Sequence, residues 1–167
     1  DYGLQVRLAR FHNVYGPEGT FDGGREKAPA ALCRKIIEAK KTKKKDINVW
    51  GDGEQTRSFL YIDDCIEGTM KIFESNYTNV FNVGSDEQVS INQLIEIIEN
   101  IADYKVDRKY DISKPKGVRG RSSNNDLIKG KLNWSPRCSL QEGLEHTFNW
   151  ISGRLSSGQD NSKFSKF

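Results

Sequence analysis

At 167 residues, with 35% hydrophobic and 29% charged side chains, the chain can bury one core of ordinary size or two small ones. A net charge of +3 is too weak to imply a nucleic-acid partner, and no apolar run approaches the roughly 20 residues of a membrane-spanning helix. Cys33, Cys65 and Cys138 stand far apart without a C-x-x-C spacing, so neither a disulfide framework nor a metal site is expected and a reducing cytoplasm fits best.

Along the chain, Leu4 to Phe11 alternates apolar and polar residues and predicts a strand. HNVYGPEGTFDGG then breaks all periodicity and reads as a long loop. Pro29 suits the first turn of a helix that puts Leu32, Cys33, Ile36 and Ile37 on one face and ends in KKTKKK, a solvated basic run. Asp46 to Trp50 predicts a short strand, GDGEQT a glycine turn, and Ser58 to Ile62 another strand. Asp63 is expected to cap a helix whose apolar side carries Ile66, Met70 and Phe73.

A strand at NVFNVG precedes a capping box, Ser90 with Gln93, and the apolar helix Ile91, Leu94, Ile95, Ile98 and Ile101. After the strand KVDRKYDI comes the irregular SKPKGVRGRSSNN, then a short helix capped by Asn125 and a last one opened by Ser139 with Glu142. From Ser152 the composition is polar and small, which predicts a disordered tail. Strands alternating with helices argue for an α/β architecture with a substantially parallel sheet.

A dinucleotide site needs a third glycine and a strand-to-helix setting, and GPEG, GDG and GVRG lack both. Tyr110 and Lys114 have Y-x-x-x-K spacing, but they follow a strand pattern and run into Pro115, so the pair cannot share a helix face. His12 and His146 lack a paired nucleophile or ligand spacing and carry no assigned chemistry. Cys33 and Cys65 sit in apolar helical patterns as inert core thiols.

RFHNVYGP at 10–17 and WGDGEQTRSFLYIDD at 50–64 resemble the R-x-x-N-x-Y-G-P and G-D-G-x-x-x-R-x-F-x-x-x-x-D segments of extended short-chain dehydrogenases that act on sugar nucleotides. GGREKAPAALCRK at 23–35, NVGSDEQVSINQL at 82–94 and GVRGRSSNNDLIKGKLNW at 117–134 narrow the resemblance to the branch that epimerises a GDP-sugar. The resemblance covers residues 3–151 and corresponds to the C-terminal part of such enzymes.

It implies a partial doubly wound, Rossmann-like sheet lacking its N-terminal strands, plus the smaller α/β substrate-binding domain. Residues 1–16 and 58–85 would belong to the first, 17–57 and 86–151 to the second, and 152–167 to the tail. The cofactor implied is NAD, bound mainly by the part of the enzyme that precedes this chain, so no cofactor-binding residue is assigned here. NAD would oxidise C4 of the sugar, acidifying C3 and C5 for epimerisation before C4 is reduced again. The whole enzyme would be a cytoplasmic homodimer, and this chain by itself would be inactive.

The resemblance carries a catalytic, proton-transferring role onto Lys27 and substrate contacts onto Asn13, Glu26, Lys35, Gln55, Arg57 and Arg121. Residue chemistry agrees with these. Arg57 and Arg121 offer forked donors for phosphate oxygens. Gln55 can donate to and accept from sugar hydroxyls. Lys27 precedes a helix start, where the positive end of the dipole disfavours an ammonium, and burial would favour the free base further. Two other readings stay open: another extended short-chain dehydrogenase, such as a nucleotide-sugar 4-epimerase or dehydratase, and a non-catalytic GDP-sugar-binding module.

Overall fold

The computed structural model describes residues 2–113 and 117–157. Strand pairing in it is mostly parallel, as alternating strands and helices require. Strand β1 (Leu8–Phe11) pairs in parallel with β6 (Val80–Val83), β2 (Val14–Tyr15) with β5 (Leu60–Tyr61), and β3 (Asp46–Trp50) with β8 (Asp107–Asp111). Strand β4 (Thr56–Ser58) lies between antiparallel β7 (Gln88–Ser90) and parallel β9 (Gly120–Arg121).

Helix α1 (Ala28–Thr42) begins with proline in its first turn and stops at Lys43, which adopts the left-handed conformation at φ 57°. It buries Leu32, Cys33, Ile36 and Ile37, the face read from their spacing. The lysine run is less free than its composition suggests. Lys40 Nζ donates to the carbonyl of Ala102, and Lys41 Nζ to Ser156 Oγ, so two of the lysines tie α1 to neighbouring helices.

Helix α3 (Ile91–Ala102) carries the expected capping box. Gln93 N–H donates to Ser90 Oγ, and Ser90 N–H donates to the Gln93 side chain, satisfying two orphan donors reciprocally. Helix α4 (Asp126–Leu132) is short, and α5 (Leu140–Ser157) opens on the Ser139–Glu142 box. Helix α5 continues past the predicted start of the disordered tail because Ile151 is buried and Leu155 packs on the same core. Residues 158–167, where the remainder of the predicted tail falls, lie outside the described residues, as does Lys114 of the Y-x-x-x-K spacing.

Helix α2 (Ile62–Glu74) departs from expectation in two ways. Its N-cap is Tyr61, and Asp63 and Asp64 lie inside the first turn, where the dipole favours carboxylates. Ile66, Met70 and Phe73 are exposed, at 54%, 47% and 71%. The buried face is instead Cys65, Gly68 and Ile72, because Gly68 admits the Trp134 ring. Asp64 reinforces that face by accepting from the Arg137 and Cys138 N–H groups, each at 3.0 Å.

Two apolar clusters result. One gathers Leu60, Cys65, Ile72, Phe81, Val83 and Trp134 around α2. The other packs α1, α3 and α5 through Ile36, Leu94, Ile95, Ile98, Leu144 and Ile151. Burying each such side chain fully contributes about 1.5–3 kcal/mol, so the second cluster holds the loop before α1 in place. Among the described residues no helix is long and apolar enough to cross a membrane.

Two glycines on helices predict opposite effects. A Cβ at Gly68 would lie 2.9 Å from Trp134 and 3.2 Å from Val83, whereas one at Gly130 would meet nothing within 4 Å. Overpacking costs about 1–3 kcal/mol and exceeds the roughly 1 kcal/mol helix-propensity gain. Gly68→Ala should therefore lower the urea midpoint, and Gly130→Ala should raise it.

Candidate functional site

Strand β4 brings the first group of expected residues together. Its parallel register with β9 sets Arg57 directly beside Arg121, with the two side chains on one face of the sheet. The approach of the two segments is close. A Cβ on Gly120 would fall 3.0 Å from Thr56 Oγ1, and one on Gly117, at φ 65°, would fall 3.3 Å from Arg57 Nη2. Glycine is needed at 117 for that backbone conformation. Arg57 also donates to its neighbour's carbonyl, Thr56 O, at 2.6 Å, leaving other guanidinium donors for a ligand.

Ser58, the last residue of β4, is fully buried and holds the turn after β1. Its carbonyl accepts from Asn13 Nδ2 at 3.0 Å, and its Oγ lies 3.2 Å from His12 Nδ1. Asn13 occupies the left-handed region at φ 46°, a conformation asparagine tolerates better than most residues. Its carbonyl accepts from Leu60 N–H, so the Asn13 backbone is fixed as well.

His12 is the residue that sequence reasoning passed over. Its backbone N–H donates to Val83 O, placing the ring at the carboxyl end of the β1–β6 pair, where open α/β sheets bind ligands. Its Nε2 is buried and has no hydrogen-bond partner among the described residues. Gly84 makes room for it, since a Cβ there would lie 2.8 Å from His12 Cβ and 2.4 Å from Ser123 Cβ. Burial first, and then the charges of Arg121, Arg57 and Lys27, hold the imidazole below its ordinary pKa. No carboxylate of the described residues is among the charges acting on it. The signal available in the sequence was position alone: the first residue after a strand, directly before Asn13.

The second group lines a cavity of about 300 Å³ between α1 and β3. Glu26, Lys35 and Gln55 meet there, with Leu32, Trp50 and Ile91 as apolar walls. Gln55 Nε2 donates to Trp50 O, while its Oε1 is buried without a partner among the described residues. Lys35 Nζ donates to Asn48 O at 2.8 Å and keeps two donors free. Burial, with Arg34 adding to it, lowers the Lys35 pKa against the opposing pull of Glu26 and Glu38.

Glu26 is also structural. It accepts from Gly24 N–H at 2.7 Å and pairs with Arg34, which reaches Phe21 O and thereby ties the glycine loop to α1. Lys27 is the N-cap of α1 and is exposed, so the described residues do not supply the burial expected of it. Its ammonium has no hydrogen-bond or ion-pair partner among them, and its charge acts on His12.

A sequence profile described as the NAD dependent epimerase/dehydratase family matches residues 1–84, half of the chain. The chain belongs to that family. It is 47% identical over 155 residues to GDP-mannose 3,5-epimerase of Arabidopsis thaliana, an alignment covering 93% of this chain and 40% of that protein. It is 35% identical over 150 residues to UDP-glucuronate 4-epimerase of Thermodesulfobacterium geofontis, covering 89% of this chain and 44% of that one. In three dimensions it is similar to the UDP-glucose 4-epimerase of Thermotoga maritima solved with UDP-glucose, at a TM-score of 0.84 and 28% identity, covering 93% of this chain and 48% of that structure. The chain thus spans less than half the length of these relatives. The resemblance to sugar-nucleotide epimerases, and to the branch named for GDP-mannose, is borne out, as is the Rossmann-like α/β class.

No glycine-rich strand-to-helix turn of the kind that holds a dinucleotide's pyrophosphate occurs at the starts of α2 and α3. Helices α2 and α3 each follow a strand directly, through Tyr61–Ile62 and Ser90–Ile91, and neither junction carries the glycines a pyrophosphate requires. Other candidates for chemistry are occupied. Tyr110 donates to Asn92 Oδ1, Cys33 and Cys65 are buried free thiols, and burial with nearby carboxylates pushes Cys138 up to about 11. A second cavity of about 330 Å³ lies between Ser85, Asn125 and Arg137, where Asp86, Glu87 and Asp126 outnumber Lys129 and Arg137 on the wall.

The three cations acting on His12 give a measurable expectation. Arg57→Ala and Arg121→Ala should each move the His12 pKa up toward the ordinary value near 6.5, read by NMR titration of the ring. The folded chain binds fewer protons than the unfolded chain between the lowered value and about 6.5. Stability is therefore present above that range and lost as pH falls through it, and the loss should be smaller in either variant.

Proposed function

We propose that this chain forms the nucleotide-sugar side of an epimerase acting on GDP-mannose, with GDP-L-galactose and GDP-L-gulose as products. The observation that carries the reading is the gathering of Arg57, Arg121 and Lys27 about His12 with no carboxylate among the charges. Like charges held together raise the free energy of the empty site. A diphosphate relieves that cost, and paired guanidinium forks match its oxygens. A cleft lined by one sign of charge also speeds capture of an oppositely charged ligand.

The adjoining cavity supplies the rest of the recognition. Trp50, Leu32 and Ile91 provide apolar walls for a planar base, and the unpartnered Gln55 oxygen takes an N–H from it. Asn13 and Glu26 address sugar hydroxyls, and Lys35 contributes donors at the cavity edge. Residues 17–57 and 86–151 make up this nucleotide-sugar lobe in the proposal. Lys27, beside the positive end of α1, gives a proton to or takes one from a sugar carbon. The oxidation and reduction of C4 depend on NAD and belong to parts of the enzyme other than these residues, so the chain alone binds GDP-mannose without turning it over.

The test is a chimaera in which this chain replaces the matched 155 residues of the Arabidopsis relative. In D₂O it should convert GDP-mannose and place deuterium at C3 and C5, and Lys27→Ala should slow the exchange by about 10²–10⁴-fold. Undiminished exchange in Lys27→Ala, or turnover of UDP-glucuronate in place of GDP-mannose, would refute the assignment. Turnover by the chain alone would refute the division of labour.

A further inference from the structure

His12 is not one of the residues to which the resemblance assigns substrate contact, yet it sits among those that are. Charges from three separate segments act on it: Lys27 at the start of α1, Arg57 on β4 and Arg121 on β9. Its remaining neighbours are uncharged, namely Ser58 on the Nδ1 side, Val83 and Gly84 at the end of β6, and Ser123 beyond β9. Nε2, on the far side of the ring from Ser58, is buried with no hydrogen-bond partner among the described residues. Unpartnered buried nitrogens are uncommon, and a missing ligand is one of the standard reasons for them.

Building on the nucleotide-sugar site proposed above, we propose that His12 is a proton-linked ligand group. As the diphosphate binds at Arg57 and Arg121, His12 takes up one proton and holds it in the complex. In the free chain burial, and then the cations, favour the neutral ring. A bound diphosphate brings two negative charges that offset the arginines and favour the imidazolium. The imidazolium has a donor for each side of the ring. Nδ1–H is accepted by Ser58 Oγ, and Nε2–H is offered to the ligand. One proton passes from solvent to the ring, and no other bond is made or broken.

Linkage then sets the sign of the pH dependence. Below the free pKa His12 is charged in both states, and above the pKa of the complex it is neutral in both. Between the two values binding takes up a proton, so affinity falls as pH rises, approaching about tenfold per pH unit at the steepest.

GDP-mannose is the right probe, because its diphosphate stays doubly ionised across this range. Calorimetry of GDP-mannose binding in buffers of different ionisation enthalpy should show uptake of up to one proton. Ring NMR should show the His12 pKa rising on saturation while His146, the other histidine of the chain, stays unmoved. His12→Phe should still bind GDP-mannose, with buffer-independent enthalpy and a flat pH profile. Should the phenylalanine variant fail to fold, His12→Gln is the second variant, and the wild-type NMR titration decides by itself. An unchanged His12 pKa on binding, or proton uptake that persists in His12→Phe, would overturn the inference while leaving the diphosphate site intact. Failure of GDP-mannose to bind at all would overturn both.

Discussion

The buried hydroxyl and carbonyl of Ser58 are the constraint on which the site depends. One residue at the end of β4 fixes His12 through Oγ and Asn13 through its carbonyl, while its neighbour Arg57 is aligned with Arg121 by the pairing to β9. The turn after β1 and the irregular stretch that carries β9, far apart in sequence, are thereby held against a single three-residue strand. A strand that short is marginal alone. It persists because β7 pairs with its other edge and leads directly into the capped helix α3, whose Leu94, Ile95 and Ile98 are fully buried.

Seen energetically, the site runs against the rest of the fold. Elsewhere half-buried arginines meet carboxylates: Arg34 with Glu26 and Glu38, and Arg108 with Glu96 and Glu99. Among the described residues, three cations and no carboxylate act on His12, its buried Nε2 lacks a partner, and Asn13 beside it adopts a left-handed backbone. These three departures coincide around one residue, as they do at ligand sites. The packed clusters of α1, α3 and α5 supply the stability that tolerates it.

Much of this was legible in the sequence where local chemistry dictates structure. The Ser90–Gln93 and Ser139–Glu142 boxes and the buried face of α1 formed as their spacing required. Tertiary effects were not legible. Strand β9 has two residues and exists only by pairing with β4. On α2 both sides are apolar, so periodicity alone could not say that Trp134 would choose Gly68 over the Ile66–Met70–Phe73 stripe. Glu26, Lys35 and Gln55 were read as individual contacts, and only the fold shows that they share one cavity. His12 lacked any local pattern, because what distinguishes it is charge arriving from three distant segments.

The central claim is that a nucleoside-diphosphate sugar binds between the paired arginines and the Gln55 cavity. Amide chemical-shift mapping of the isotopically labelled chain with GDP-mannose tests it most directly. The account predicts that the amides of Asn13, Arg57, Ser58 and Arg121 shift together with those of Lys35 and Gln55, along one saturation curve. Shifts confined to the acidic cavity of Ser85, Asn125 and Arg137, with the arginine pair unmoved, would contradict it.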